Sequence, residues 1–231
     1  MYVDLRSAIG RGILVTGEFD PVVFAPIREA LAEGGTFLDV GANVGYYSVL
    51  AAQLLGSRGR VHAFEIDPRP LRCLRRNAGA GGAGGISVHE VAIGKAAGYA
   101  LLHPGKDSGH TRATAADVGA GVPMTSIDAW RRESGVRDIR AIKIDIEGEE
   151  FAALQGARET LAQERPTIVF EMLGNAVALG GATREEIVAF LGGLAYRVEE
   201  LAGTHSPTLV ARPMARAVPT PARADAGSRE A

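Results

Sequence analysis

The sequence predicts an α/β fold: a mostly parallel sheet with helices on both faces and one antiparallel strand near the C-terminus. Three observations predict it. Short apolar runs alternate with segments of helical periodicity, the pattern of parallel strands joined by crossover helices. The first of these runs ends in an acid and a glycine turn, Asp39-Val40-Gly41-Ala42-Asn43-Val44-Gly45. The last two extended runs, Tyr196 to Leu201 and Thr208 to Ala211, flank a turn-rich link of hairpin length, so they pair antiparallel.

In chain order, residues 1–34 read as a lead-in strand or loop and a helix, with Phe24, Ile27 and Leu31 as its apolar positions. Thr36 to Val40 is a short apolar run ending in an acid and a glycine turn, and reads as a buried parallel strand. Asn43 to Leu55 is apolar and alanine-rich, stops at Gly56, and is expected to be a helix. Arg60 to Ile66 is the second strand. Pro68 then opens a helix, where a missing amide proton costs nothing. Residues 78–85 hold only Gly and Ala and read as a flexible connection. Ile86 to Ile93 is the third strand, Tyr99 to Leu102 another extended piece, and residues 103–123 a long polar loop. Ile139 to Ile146 is a further strand, followed by a helix to about Leu161; Pro166 breaks the chain before the strand Thr167 to Met172. Thr183 and Glu186 form a capping box ahead of Ile187, Phe190, Leu191 and Leu194. From Pro213 the chain is rich in Ala, Pro and Arg without periodicity and is expected to be disordered. The expected organisation is a lead-in at 1–34, one domain at 35–212 and a tail at 213–231.

With 231 residues, 46% hydrophobic and 23% charged, the chain has material for one soluble domain with a full core. Its 25 Lys and Arg against 27 Asp and Glu leave a formal charge of −2. No global field recruits nucleic acid or an acidic membrane, so neither is an expected partner. Arg131, Arg132, Arg137 and Arg140 read as a solvated face. Cys73 is the single cysteine, which rules out an internal disulfide and leaves no cysteine-based zinc site. No signal peptide is legible, and no apolar stretch approaches the ~20 residues of a membrane span. A cytoplasmic location is expected.

Ligands of open α/β sheets bind beyond the carboxyl ends of the strands. The glycines of the first turn allow close backbone approach, and the following helix N-terminus offers amide protons. Glu65 ends the second strand 20 residues after Gly45, where a carboxylate can accept both hydroxyls of a ribose. Ile66, Asp67 and Pro68 follow it, and Asp67 and Pro68 are placed beside the adenine. A dinucleotide fingerprint, Gly-x-Gly-x-x-Gly, fits poorly, since Asn43 and Tyr46 hold its second and third positions. Asp39 followed by Gly-x-x-x-Gly fits a sulfonium cofactor better.

The residues resemble the FkbM family of methyltransferases over about 35–211. The matching segments are Phe37 to Ser48, Phe64-Glu65-Ile66-Asp67-Pro68, Thr125-Ser126-Ile127-Asp128 and, most specific of all, Ile142-Lys143-Ile144-Asp145-Ile146-Glu147-Gly148-Glu149-Glu150. The resemblance implies a class I methyltransferase (Rossmann-like) fold, S-adenosylmethionine as cofactor and methylation of a hydroxyl on a sugar, glycan or secondary metabolite. The cofactor set carried by these segments is Asp39, Gly41, Ala42, Asn43, Gly45, Tyr46, Glu65, Ile66 and Asp67. Val91 and Ala92, at the end of the third strand, border the adenine in the usual geometry of this fold. A nicotinamide-dependent oxidoreductase and a catalytically inactive cofactor-binding protein remain as alternatives.

Lys143, Asp145 and Glu147 alternate along one strand, which puts them on one face or at its exposed end. Three charges are tolerable only at the carboxyl end, beside the cofactor crevice; Glu171, ending the next strand, reaches the same place. A methyl acceptor must be positioned and deprotonated. Asp145 is the first candidate for that base, with Lys143 setting its charge. Asp145, Glu147 and Glu171 would alternatively suit a divalent metal such as Mg²⁺, although no metal residue is assigned. Glu149 and Glu150 read as structural acids at a helix start. His110 is an alternative loop base; His62, His89 and Trp130 read as packed residues, and His103 and His205 as turn residues.

Overall fold

The computed structural model describes residues 1–80, 85–105, 111–116, 121–172 and 181–215. Two helices, α1 (Ala8–Thr16) and α2 (Pro21–Ala30), precede the sheet. The alternation then runs β1 (Gly35–Val40), α3 (Tyr46–Leu55), β2 (Gly59–Phe64), α4 (Pro68–Gly79) and β3 (Ile86–His89). An excursion of short strands follows: β4 (Ala92–Ile93), β5 (Gly98–His103), β6 (Arg112–Ala116) and β7 (Val122–Thr125). The chain returns through α5 (Ile127–Ser134), β8 (Ile139–Ile144), α6 (Glu150–Gln155), α7 (Arg158–Glu164) and β9 (Thr167–Glu171). It closes with α8 (Arg184–Gly192), β10 (Tyr196–Leu201) and β11 (Thr208–Pro213).

The main sheet has seven strands in the order β10-β11-β9-β8-β1-β2-β3. β11 is antiparallel to both neighbours and the remaining pairs are parallel, the arrangement expected from the terminal hairpin. Period two along β1 splits the core. Phe37 packs with Ile27, Leu31, Ala51 and Leu55 from α2 and α3. Leu38 and Val40 pack on the opposite face with Trp130, Leu154 and Leu161 from α5 to α7. The capping box forms as expected, Thr183 accepting from the Glu186 amide and Glu186 from the Thr183 amide.

Several expectations are corrected. The lead-in is two helices, the first capped by Ser7 accepting from the Gly10 amide. The first crossover helix starts at Tyr46, because Asn43 and Gly45 take left-handed backbone at φ 52° and 83°. The run 86–93 is two strands in different sheets, since β3 pairs with β2 but β4 pairs with β7. The long loop at 103–123 contains β6 and the start of β7, part of a second sheet ordered β4-β7-β5-β6. The helix expected to reach Leu161 breaks at Gly156, where a Cβ would stand 2.2 Å from the Gly94 carbonyl oxygen. Asp128, on α5, accepts from the Glu159 and Thr160 amides and so caps the second piece. Residues 81–84 of the Gly/Ala connection, and the tail from 216, lie outside the described residues.

Candidate active site

A cavity of about 340 Å³ opens at the carboxyl ends of β1, β2, β8 and β9. At one end is the glycine turn. Gly41 has φ 77°, and a Cβ there would lie 1.8 Å from the Asp145 carbonyl oxygen, so only glycine lets the β1 and β8 ends meet. The Gly41 and Ala42 amides are spent on the Phe64 carbonyl, at 3.0 and 2.9 Å. The Asn43 amide, between the two glycines, donates to Glu65 Oε2 at 2.8 Å. Glu65 Oε1 accepts from the Ile66 and Asp67 amides, both at 2.7 Å. Three amide donors therefore fix this carboxylate at the bend. Oε1 is filled by its two donors, Oε2 keeps one lone-pair site, and Glu65 lines the cavity. Burial pushes its carboxyl up, while the three amides favour the ionised form.

Gly41, Asn43, Glu65, Ile66, Asp67, Val91 and Ala92 all line the cavity. Asp39, Ala42, Gly45 and Tyr46 stand behind its wall and shape it. Gly45 leaves room for Leu74, whose Cδ1 would lie 2.5 Å from an added Cβ. Asp39 is fully buried; one of its oxygens accepts from Ser48 Oγ at 2.6 Å. The other, Oδ1, has no hydrogen-bond partner among the described residues and faces Lys143 Nζ at 3.8 Å. Asp67 accepts from Arg69, at 2.7 Å, and from Thr111. Burial works to raise Asp67, but these partners outweigh it and hold it below the usual carboxylate range.

At the other end lie Lys143, Asp145, Glu147 and Glu171, all lining the cavity. β8 ends at Ile144, two residues earlier than expected, so Asp145 and Glu147 sit just past the strand. Glu147 and Gly148 turn the chain with φ 59° and 104°. Lys143 Nζ lies 3.2 Å from Asp145 Oδ2 and 3.3 Å from the Gly41 carbonyl, and 5.4 Å from the Tyr47 ring centre. Burial acts to lower this ammonium, but Asp145 and Asp39 outweigh it and hold it above its ordinary value. It is charged at neutral pH. Glu150 Oε1 accepts from the Ile146 and Gly148 amides, and Glu149 pairs with Arg112 at 2.9 Å, so both are structural.

Burial, reinforced by the charge of Asp145 and a hydrogen bond shared with it, pushes Glu171 up to about 8, with Ser206 opposing. Burial and then Asp145 push Glu147 up to about 7, against Lys143. The folded chain thus holds protons that an unfolded glutamate has lost. This contribution is complete below pH 4.5 and is lost as pH rises through about 8. Glu171→Gln is expected to flatten the fall in stability between pH 5 and pH 9. At about 1.4 kcal/mol per unit the gain over the parent at the alkaline end is a few kcal/mol. Denaturant melts across pH measure it; parallel pH profiles for the two proteins would remove Glu171 from this account.

Some residues of the cavity carry no sequence signal. Phe19 and Asp20 come from the α1–α2 link, and His205 and Ser206 from the β10–β11 turn. Asp20 Oδ2 accepts from the His205 amide at 3.1 Å, and Phe19 stacks on the His205 ring at 5.7 Å. Asp20 stands 185 residues from its partner, so no local pattern reveals the pair. His62, His89 and Trp130 pack with Phe64 in one aromatic cluster, and His110 lies outside the described residues. Among the described residues no group of three or more His, Cys, Asp or Glu side chains is arranged to hold a metal ion, and no helix is long and apolar enough to cross a membrane.

Residues 39–198 match the family model described as the methyltransferase FkbM domain. Methyltransferase FkbM from Methylobacillus flagellatus superposes with a TM-score of 0.55 at 20% identity, over 87% of this chain and 52% of that one. A SAM-dependent O-methyltransferase from Thermotoga maritima superposes with a TM-score of 0.54 at 14% identity, over 89% of this chain and 71% of that one. These two likenesses establish the class I methyltransferase fold. In sequence, 55 residues are 40% identical to a Sulfolobus acidocaldarius protein whose name describes a cobalt-precorrin-6B C(15)-methyltransferase (decarboxylating). The match spans 24% of this chain and 29% of that relative.

Proposed function

The chain belongs to the FkbM methyltransferase family, and from that premise we propose that it moves a methyl group from S-adenosylmethionine to a hydroxyl oxygen of a sugar, glycan or secondary metabolite. One observation carries the reading: the Glu65 carboxylate, held at the glycine bend by the Asn43 amide, faces the same cavity as Lys143 and Asp145.

The residues present fit the cofactor. Glu65 has acceptor capacity for a ribose, Ile66, Val91 and Ala92 give its cavity an apolar wall, and Gly41 admits close backbone approach. When bound, the cofactor supplies an electrophilic methyl on a sulfonium. The protein's own part is to place the acceptor oxygen in line and take its proton. Asp145 is assigned that proton. Lys143 keeps Asp145 ionised and anchors it to the Gly41 carbonyl, so the two ends of the cavity are tied through one ammonium. Glu171, protonated at neutral pH, donates to Asp145 rather than competing with it. Oxygen as the acceptor atom is favoured by this carboxylate next to the cavity, since an alcohol needs a base.

Calorimetry should show saturable binding of S-adenosylmethionine and of its demethylated product. Glu65→Gln keeps one carbonyl oxygen for Ile66 and Asp67 but turns an amide toward the Asn43 N–H and removes the acceptor site left for a ribose. Affinity is expected to fall roughly 10- to 100-fold, the worth of about 1.5–3 kcal/mol for hydrogen bonds to a charged group. Equal affinity in the variant would show that Glu65 does not hold the cofactor. A mass-spectrometric search for methylated products among candidate glycosides and polyketides then tests the acceptor class.

A further inference from the structure

The formal charge of −2 hides an uneven distribution. Arg131, Arg132 and Arg140 are each matched by an acid, Glu164, Glu159 and Asp138 respectively. Helix α4 is different: it carries Arg69, Arg72, Arg75 and Arg76 and no acid within its span. Arg69 pairs with Asp67 and Arg75 with Glu90, but no acid pairs with Arg72 or Arg76 among the described residues. Beside α4 runs the N-terminal segment. Asn77 accepts from the Tyr2 amide and donates to the Tyr2 carbonyl, and Arg76 covers the Tyr2 ring at 5.3 Å. Among the described residues Arg11 donates to the Leu5 and Arg6 carbonyls and pairs with no acid. Arg6 is matched by Asp4.

The N-terminal segment that runs beside α4, and the helix α1 whose Arg11 reaches back to it, also expose apolar side chains. The five most exposed large hydrophobic side chains among the described residues are Met1, Tyr2, Leu5, Leu14 and Val15, with Leu14 at 65% and Val15 at 82%. On α1, Ile9 turns inward to line the cavity, while Arg11, Leu14 and Val15 share the outer side at helical spacing. Aliphatic side chains flanked by arginines suit the boundary between lipid headgroups and acyl chains. A second copy of this chain would meet the face with the same arginines, like against like. Nucleic acid would leave Leu5, Leu14 and Val15 without a use, and the one aromatic ring, Tyr2, is already covered by Arg76.

We propose that residues 1–16 and helix α4 form a docking surface for an anionic lipid membrane, placing the mouth of the cavity at the bilayer interface. Ile9 of α1 and Pro70 of α4 line that cavity, so an acceptor carried on an amphiphile enters beside the lipid. The total charge, from which no membrane partner is expected, is blind to this arrangement. The surface does not depend on the methyl-transfer reading, and its test needs no turnover.

The full-length chain is sedimented with phosphatidylcholine vesicles and with phosphatidylcholine vesicles containing phosphatidylglycerol. Binding is expected with the anionic vesicles, weakening as salt rises. Arg72→Glu with Arg76→Glu removes the charge, and Leu14→Glu with Val15→Glu removes the apolar part. Each pair is expected to weaken binding at least roughly ten-fold, with the melting temperature and S-adenosylmethionine affinity retained. Loss with both pairs supports the surface. Loss with one pair or neither, equal binding to both vesicle types, tighter binding to a DNA duplex, or self-association that buries Leu14 and Val15 overturns it.

Discussion

Gly41→Ala is expected to unsettle the fold and the cofactor site together, and a graded series of glycine substitutions should show why. Gly17, Gly45 and Gly41 have nearly the same backbone, φ 78°, 83° and 77°. An alanine at Gly17 meets nothing within 4 Å, so it carries only the backbone penalty of about 1 kcal/mol. At Gly45 the new Cβ meets the tip of Leu74 at 2.5 Å, a side chain able to rotate away at the expense of packing around α4. At Gly41 it meets the Asp145 backbone oxygen at 1.8 Å, and backbone paired across a sheet cannot rotate away. The Asp145 amide is itself bonded to the Val40 carbonyl at 3.0 Å, so relief requires parting β1 from β8. Overpacking adds about 1–3 kcal/mol to the backbone term. At roughly 2–4 °C per kcal/mol for a domain of this size, Gly17→Ala should lower the melting temperature slightly, Gly45→Ala more, and Gly41→Ala by about 5–15 °C. Only Gly41→Ala should also abolish S-adenosylmethionine binding, because it displaces Asn43, whose amide holds Glu65. Thermal melts and calorimetry on the three variants decide it; a Gly41→Ala protein that binds the cofactor normally would falsify the turn as the site's foundation.

The parts legible in the sequence are those where one local pattern has one meaning. The buried strands β1 and β8 are short, mostly apolar runs with their acid or lysine near the carboxyl end, and the hairpin at the C-terminus follows from link length alone. The acid at the end of β2 is legible because a parallel crossover fixes how far Glu65 can lie from the glycines. The failures have a different origin. Residues 112–116, Arg-Ala-Thr-Ala-Ala, are mostly small alanines with one β-branched residue, Thr114, a weak strand signal, so β6 is fixed by its pairing with β5. The run 86–93 is apolar throughout most of its length, yet which sheet each half joins is a matter of tertiary partners. Gly156 looks like an ordinary helix stop; its reason is a backbone from β4's end passing close by.

The same distinction divides the site. The end proposed to hold the cofactor draws on residues close in sequence after β1 and β2, and of those read from the sequence Gly41, Asn43, Glu65, Ile66 and Asp67 line the cavity. The cavity also draws Asp20 from before α2 and His205 from the last turn. Asp20 is the N-cap residue of α2, yet it sits at φ 44° and its side chain makes no capping bond. Its carboxylate goes instead to the His205 amide. Both residues also lie outside the 39–198 span of the family match, so this part of the cavity wall comes from stretches that the shared motifs do not describe.

Asp145→Asn should separate binding from chemistry. Asparagine keeps the size of the side chain and an oxygen for Lys143, so the fold and the glycine turn have no reason to change. What is lost is the negative charge that accepts a proton. Removal of a positioned general base slows turnover by about 10²–10⁴-fold, and single-turnover methyl transfer to an identified acceptor should fall by that factor while S-adenosylmethionine affinity is retained. The neighbours supply a readout that does not rely on turnover. Glu171 is raised by burial first and by Asp145 next, so the variant's Glu171 should titrate lower, closer to an ordinary glutamate. Lys143 would retain Asp39 but lose the nearer of its two carboxylates, 3.2 against 3.8 Å, and should titrate lower as well. Carbon-detected NMR of the Glu171 carboxyl across pH distinguishes the outcomes. A lowered Glu171 with undiminished turnover would leave Asp145 as an electrostatic neighbour and transfer the proton to another group. A lowered Glu171 with turnover reduced as expected assigns the proton to Asp145, with Lys143 and Glu171 holding it ready.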